Sequence, residues 1–259
     1  MKVSDPVYES LFAKVTDRFF LCETRHTPAF TDFYDPVKWT AFLNAIQSKY
    51  KSENILALTY GGAADNERRM LGFFPFTGTN RLTDFPIKRL RISHNSKFNK
   101  RPRHQDYLGS VLGLGLDRGK IGDILLMPET GYADIFVYED IAGYICGQLE
   151  KVGKVPVKVQ ETFEEDNVTA PTTESQINIA SLRLDVTAAA IFRLSRGKTA
   201  DLISAEKVFV NWTPCTDKGK QIKPGDMVTV RGYGRVQIGE VLGNTKKGRL
   251  RVQVVLWGV

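Results

Sequence analysis

Little in this sequence is suited to metal, redox or nucleophilic chemistry. Its three cysteines, Cys22, Cys146 and Cys215, are odd in number and far apart. They offer no disulfide framework and suit a reducing compartment. The three histidines, His26, His94 and His104, make no metal-ligand spacing with those cysteines. No Ser/His/Asp arrangement and no working pair of carboxylates can be placed. Gly113-x-Gly115-x-x-x-Gly119 ends a predicted helix instead of following a strand, so it is no dinucleotide loop. No apolar run approaches the ~18 residues of a membrane span, and the N-terminal residues lack a signal-peptide pattern. The expectation is a cytoplasmic protein with no metal, no cofactor and no membrane contact.

What is present is ordinary in amount and uneven in placement. The 259 residues, 42% hydrophobic and 25% charged, suffice for two or three small domains with ample core. The net charge of +7 is concentrated in two blocks. Residues 1–80 carry 9 basic and 9 acidic side chains, and residues 81–104 carry 8 against 1. Residues 105–138 carry 2 against 5, residues 139–177 carry 3 against 8, and residues 178–259 carry 14 against 6. Two cationic blocks separated by acidic sequence point to a polyanionic partner, although a charge run is most often a solvated face.

Along the chain, Asp5-Pro6 and Asp35-Pro36 are cap-plus-proline helix starts, for helices to about Cys22 and Lys51. Ile55 to Tyr60 and Arg69 to Phe74 read as a hairpin, with Phe73, Phe74 and Phe76 as core. Residues 1–80 are thus expected to form an α/β domain without a catalytic constellation. From residue 81 to 161 the order becomes strand, helix, strand, strand, helix, strand. The strands are Ile87–Ser93, Ile121–Met127, Tyr132–Tyr138 and Val155–Val159; the helices are Gln105–Leu116 and Ile141–Val152. This is the βαββαβ order of the ferredoxin-like, RRM-like architecture, whose first and third strands are central neighbours. Alternation puts Arg89, Arg91 and Ser93 on one face, and Tyr132, Asp134, Phe136 and Tyr138 on one face. If the faces coincide, cations and aromatics lie together as single-stranded RNA binding needs, unless the N-terminal domain covers them.

The loop after the first of these strands packs Lys97, Lys100, Arg101 and Arg103 around Phe98, a composition suited to phosphate contact and stacking. Residues 162–176 are acidic and poor in apolar side chains, and read as a linker. Residues 177–259 form the last domain. Leu184, Ala188 and Ile191 give a helix its apolar side, Ser195 is an N-cap, and Ala200, Leu202 and Ile203 serve a second helix. Val208 and Val210 alternate with Phe209 and Asn211 as a strand, and Pro224-Gly225-Asp226 is a turn. Arg196 and Lys198 lie in the first turn of the second helix, where the dipole disfavours cations by roughly 0.3–1 kcal/mol. They are either two solvated side chains or the walls of a phosphate site, since an anion there would reverse the sign.

These segments, Arg183-Leu184-Asp185, Leu194-Ser195-Arg196, Leu202-Ile203, Val208-Phe209-Val210-Asn211 and Pro224-Gly225-Asp226, stand in the order of the S4-like RNA-binding domain, which the stretch resembles. Two positions usually occupied by glycine are Glu206 and Trp212 here. Over nearly its whole length the chain resembles the YlmH family. The carrying segments are Asn95-Ser96-Lys97-Phe98, His104-Gln105-Asp106-Tyr107-Leu108-Gly109, Gly113-Leu114-Gly115-Leu116-Asp117-Arg118, Ile121-Gly122-Asp123-Ile124, Ser181-Leu182-Arg183-Leu184-Asp185 and Val210-Asn211-Trp212. The resemblance implies an α+β protein whose N-terminal α/β region precedes a ferredoxin-like domain and a C-terminal S4-like domain. It implies a protein that binds ribosomal RNA and tRNA on large ribosomal subunits carrying peptidyl-tRNA, in ribosome-associated quality control. Links to cell division also attach to the family.

Arg183-Leu184-Asp185 with Thr187 also resembles the Arg-Leu-Asp-x-x-Thr of pseudouridine synthases, but the threonine is one position early and only 74 residues follow Asp185. The reading is therefore a monomeric, non-enzymatic RNA-binding protein, with an RNA-modifying enzyme and an interaction scaffold as the rivals. Arg183, Arg196 and Lys198 are assigned to phosphates, Ser195 to the cap, and Lys207 and Asn211 to a strand edge. Lys97, Phe98, Lys100, Arg101 and Arg103 form a second contact, beside Arg89 and Arg91.

Overall fold

The computed structural model describes residues 6–50, 52–76, 82–94, 101–127, 131–162 and 172–257. Among them the chain forms six α-helices and several antiparallel sheets, an α+β fold. It divides into two compact units, Met1–Thr169 and Ala170–Val259.

In the first unit, α1 (Pro6–Arg25) turns Val15, Phe19 and Cys22 inward, spaced four and three residues apart. α2 (Pro36–Lys49) opens on its proline, and the Asp35 carboxylate accepts the Lys38 N–H at 3.0 Å. Both helices pack on a three-stranded sheet of order β1 (Ala29–Phe30), β3 (Met70–Pro75), β2 (Ile55–Tyr60). The central β3 is buried on both faces. Leu71 and Phe73 meet the helices, while Met70 and Phe74 meet Phe33 and Phe85. Gly72 is needed there, because a Cβ would stand 2.7 Å from the Phe85 ring. Phe76, expected in the core, is instead 69% exposed, since the strand stops at Pro75.

The remainder of this unit is built from β4 (Ile87–Ser93), α3 (His104–Leu112), β5 (Ile121–Met127), β6 (Tyr132–Tyr138) and α4 (Glu139–Gln148). After α4 come the paired β7 (Lys151–Val152) and β8 (Val155–Pro156), then β9 (Lys158–Glu161). The sheet order is β5-β6-β4-β9, every neighbour antiparallel. Three elements have bounds that differ from those expected of the sequence. α3 ends at Leu112, not Leu116, because Gly113 and Gly115 follow, the latter at φ +83°. α4 runs from Glu139 to Gln148, not from Ile141 to Val152. The closing strand is Lys158–Glu161, because Val152 and Val155 pair across a turn containing Gly153 at φ +59°. One sheet face buries Leu90, Ile92, Ala133, Ile135 and Val137 against Tyr107 and Val111 of α3 and Ala142 and Ile145 of α4.

The N-terminal half closes over part of the opposite face. Phe136 is buried there, and a Cβ on Gly62 would lie 2.3 Å from its ring. Ile87 and Tyr138 pack against the Phe33, Met70, Phe74 and Phe85 cluster. A polar clasp joins the same two halves. The Phe33 N–H donates to the Gly119 carbonyl at 2.7 Å, and a Cβ on Gly122 would lie 2.9 Å from the Phe33 ring. The Arg68 guanidinium donates to the carbonyls of Ile121, Phe33 and Arg118 at 2.9, 2.8 and 3.2 Å. The Asp123 carboxylate accepts the backbone N–H groups of Glu67 and Arg68. Burial pushes the Asp123 carboxyl up to about 6, with the Arg68 N–H and the Arg68 and Arg118 charges pulling the other way.

The second unit is one six-stranded sheet with a helix pair. Its elements are β10 (Thr172–Ile179), α5 (Leu184–Ile191), α6 (Arg196–Ser204), β11 (Val208–Val210), β12 (Thr213–Pro214), β13 (Met227–Val230), β14 (Gly234–Asn244) and β15 (Leu250–Trp257). The strand order is β10-β15-β14-β13-β11-β12. Residues 172–176, read as linker, are the first part of β10, paired with β15 from Thr172↔Trp257 to Ile179↔Leu250. Their polarity reflects exposure, not lack of structure: of β10 only Ile179 is buried. Leu184 and Ala188 of α5 and Ile203 of α6 close the core over Val208, Val210, Val228, Val230, Val236, Ile238, Val252 and Val254.

Candidate nucleic-acid interface

The helix pair of the second unit places most of the expected contact residues together. Ser195 is the N-cap of α6, its Oγ accepting the Lys198 N–H at 3.2 Å. That leaves the N–H groups of Arg196 and Gly197 without a partner among the described residues. Arg196 and Lys198 are exposed and make no ion pair among those residues. The N-terminus of α5 is different, for its Leu184 and Asp185 N–H groups donate to the carbonyls of Lys220 and Lys218. The 218–220 loop thereby occupies the place an anion would take.

Arg183 is the N-cap residue of α5. Its side chain is 47% exposed and its Nε lies 3.1 Å from Asp185 Oδ1. Burial pushes the Asp185 carboxyl up, but the Arg183 bond and charge, the Val186 N–H and the Arg196 charge outweigh it and hold the group below its ordinary range.

The corner continues onto the sheet. Lys198 Nζ lies 5.3 Å from the centre of the Tyr233 ring, which is 40% exposed. Arg231 stands 5.6 Å over the Phe209 ring, and its N–H donates to the Lys207 carbonyl at 2.9 Å. Lys207 itself is exposed at the start of β11. Arg231 and Tyr233 were not among the residues expected from the sequence. The signal was available: Arg231-Gly232-Tyr233-Gly234-Arg235 is a cation–aromatic run that leads from β13 into β14.

Asn211 does not line the edge as expected. Its Nδ2 donates to Asp226 at 2.8 Å and its Oδ1 accepts the Met227 N–H at 2.8 Å, so its amide clasps the turn containing Pro224-Gly225-Asp226. The positions usually held by glycine keep a glycine-like backbone. Glu206 has φ +55° and Trp212 has φ +68°, with Asn211 between them at +48°. The Trp212 ring lies 5.7 Å from the Arg235 guanidinium, whose pKa burial lowers to about 10.

In the first unit the expected cations are arranged less openly. Arg89 and Arg91 share the buried Asp134 carboxylate, each with an Nε–O distance of 3.0 Å. Their side chains are 11% and 13% exposed, and Arg91 also lies 4.0 Å over the Tyr132 ring. Register explains it, because Arg91↔Asp134 and Arg89↔Phe136 are directly opposed across β4 and β6. The two arginines neutralise an interior carboxylate and do not form an open phosphate-binding face, which corrects the expectation for Arg89 and Arg91.

Arg101 and Arg103 are exposed ahead of α3, and the Arg103 N–H donates to the Asp106 carboxylate at 2.8 Å. Burial and the Arg101 charge lower the His94 pKa at the other end of the same loop. Beside His94 is a shallow cavity of about 360 Å³, lined also by Ser93, Pro156, Val157 and Lys158. Lys97, Phe98 and Lys100 lie outside the described residues.

Comparison with known proteins assigns these two regions. Residues 81–166 match the family described as "Putative RNA-binding domain in YlmH", and residues 182–228 match the S4 domain. Fold, surface and matches together define a protein with two RNA-binding domains, the second of the S4 type. Over 226 residues the chain is 32% identical to the ribosome-associated protein quality control protein P2 of Bacillus subtilis (strain 168), covering 86% of this chain and 84% of that protein. The chain belongs to the YlmH family. Its fold is also similar to that of the cell division protein ylmH from Streptococcus pneumoniae. That structure has a TM-score of 0.52 and 20% identity, covering 65% of this chain and 99% of the other.

Proposed function

We propose that this protein binds structured ribosomal RNA and tRNA on the large ribosomal subunit carrying peptidyl-tRNA, in ribosome-associated quality control, and performs no chemistry on them. The observation that carries the proposal is the cation pair Arg196 and Lys198, which make no ion pair among the described residues, at a helix N-terminus whose Arg196 and Gly197 N–H groups have no partner among those residues, with the Tyr233 ring beside Lys198. Backbone donors, a dipole and cations aimed at one point favour a phosphate oxygen, and an exposed ring beside them offers a stacking face. The name of the Bacillus subtilis relative supports the ribosomal setting.

The antiparallel β5-β6-β4-β9 order supports reading the middle region as a ferredoxin-like domain. We divide the chain into 1–80, 81–161, a short linker and the S4-type domain, acting as a monomer in the cytoplasm. Lys97, Phe98, Lys100, Arg101 and Arg103 make the second contact in this proposal, with Lys207 at the rim of the first.

A perturbed carboxylate in the middle region is what an RNA-modifying enzyme would need, and Asp123 is perturbed. Its oxygens, however, hold the backbone of Glu67 and Arg68, so a structural duty accounts for it. The test is co-sedimentation with purified large subunits, with and without peptidyl-tRNA, over a range of salt, alongside a turnover assay on ribosomal RNA and tRNA. Salt-sensitive co-sedimentation without turnover is the expected result. Modified nucleosides would overturn the non-enzymatic part, and failure to sediment would overturn the binding.

A further inference from the structure

The C-terminal hairpin lies beyond both family matches and outside the corner described above. β14 pairs with β13 only as far as Gln237. Its second half therefore has β15 on one side and no strand on the other among the described residues. Burial alternates along β14 as far as Ile238, as in a strand with one face on a core. From Glu240 to Asn244 every residue is exposed, including Val241 at 37% and Leu242 at 41%. Register shifts between Ile238 and Val241 and between Val241 and Gly243 twist this ribbon, and Gly243 sits at φ +124°.

The tip is tied. The Thr245 N–H donates to the Arg249 carbonyl at 2.8 Å, and the Gly248 N–H donates to the Thr245 carbonyl at 2.9 Å. Thr245 Oγ1 accepts the Arg249 N–H at 3.0 Å. This holds Lys246, Lys247 and Arg249 at one end of the ribbon, with exposed Arg251 next along β15. No acidic residue occurs between 241 and 259, and no ion pair engages the four cations among the described residues. Like charges gathered on an ordered ribbon repel one another, and a polyanion relieves that repulsion. Bulges and a left-handed glycine on the open edge work against addition of another strand.

We infer that this hairpin is a separate RNA contact. Lys246, Lys247, Arg249 and Arg251 bind the ribose–phosphate backbone of a structured RNA, and Val241 and Leu242 lie against its sugars. The inference rests on the reading of the protein as an RNA binder and adds an arm to it.

The test compares the full-length protein with Lys246→Gln/Lys247→Gln/Arg249→Gln, and with the charge-keeping Lys246→Arg/Lys247→Arg/Arg249→Lys. The probes are unfractionated tRNA and purified large ribosomal subunits, with affinity followed against salt. Neutralising the tip makes the slope of log affinity against log salt shallower by about 0.7–0.9 for each phosphate the tip no longer neutralises, while the charge-keeping variant retains the slope. An unchanged slope in the glutamine variant, with the wild-type protein binding, overturns the arm and leaves the RNA-binding reading intact. If the wild-type protein binds neither probe at any salt, both fall together.

Discussion

At Glu206 an L-residue holds a backbone that the S4 pattern usually gives to glycine. A left-handed conformation costs a non-glycine residue roughly 1–2 kcal/mol, while glycine brings an entropic cost of about 0.5–1 kcal/mol. With Glu206 exposed at φ +55°, Glu206→Gly is expected to raise the melting temperature by about 2–4 °C in a thermal scan, and Glu206→Val to lower it. Trp212 shares the conformation, but its contact with Arg235 offsets part of the gain, so Trp212→Gly should not match it. Some residue roles were legible in the sequence because they are local. Asp35 and Ser195 cap the helices that begin beside them. Asn211 is not an edge contact because its partners, Asp226 and Met227, lie fifteen and sixteen residues away, across a loop whose path local sequence does not determine.

At the scale of elements, periodicity located the strands and helices well and their ends less well. Element ends depend on which glycine adopts positive φ, and Gly115 at φ +83° and Gly153 at φ +59° lay inside or beside the predicted spans. Alternation likewise showed that Arg89 and Arg91 share a face, but only the β4–β6 register brings Asp134 opposite. Removing that carboxylate takes away the buried acid that two nearly buried guanidinium groups share. Asp134→Ala should therefore cost about 3–5 kcal/mol in denaturant unfolding.

The Asp123 clasp gives a pH signature. Below its ordinary value of 3.8 the carboxyl is protonated in both states and burial carries no charge penalty. Between 3.8 and about 6 the unfolded chain releases the proton first, so stability falls as pH rises, by an amount of order 3 kcal/mol that is fully lost above about 6. Asp123→Asn should flatten the dependence of unfolding free energy on pH across that window. An unaltered pH profile would remove Asp123 from the clasp energetics.

Across the whole molecule, the uneven charge read from the sequence goes to several separate places. Among the described residues of the 81–104 block, Arg89 and Arg91 join the Asp134 ion cluster, Lys88 pairs with Glu161, and Arg101 and Arg103 are exposed. The 178–259 block includes the α5–α6 corner and the β14–β15 tip. Composition registers the excess of cations in both blocks alike, whereas only burial distinguishes an arginine neutralising an interior aspartate from a lysine facing water. The most direct measurement is the salt dependence of binding to purified large subunits by the wild-type protein and by Arg196→Glu/Lys198→Glu. A wild-type slope that becomes shallower in the variant by about 0.7–0.9 for each phosphate no longer neutralised is the predicted result. A variant that binds with the wild-type slope would contradict the assignment of the α6 N-terminus to RNA.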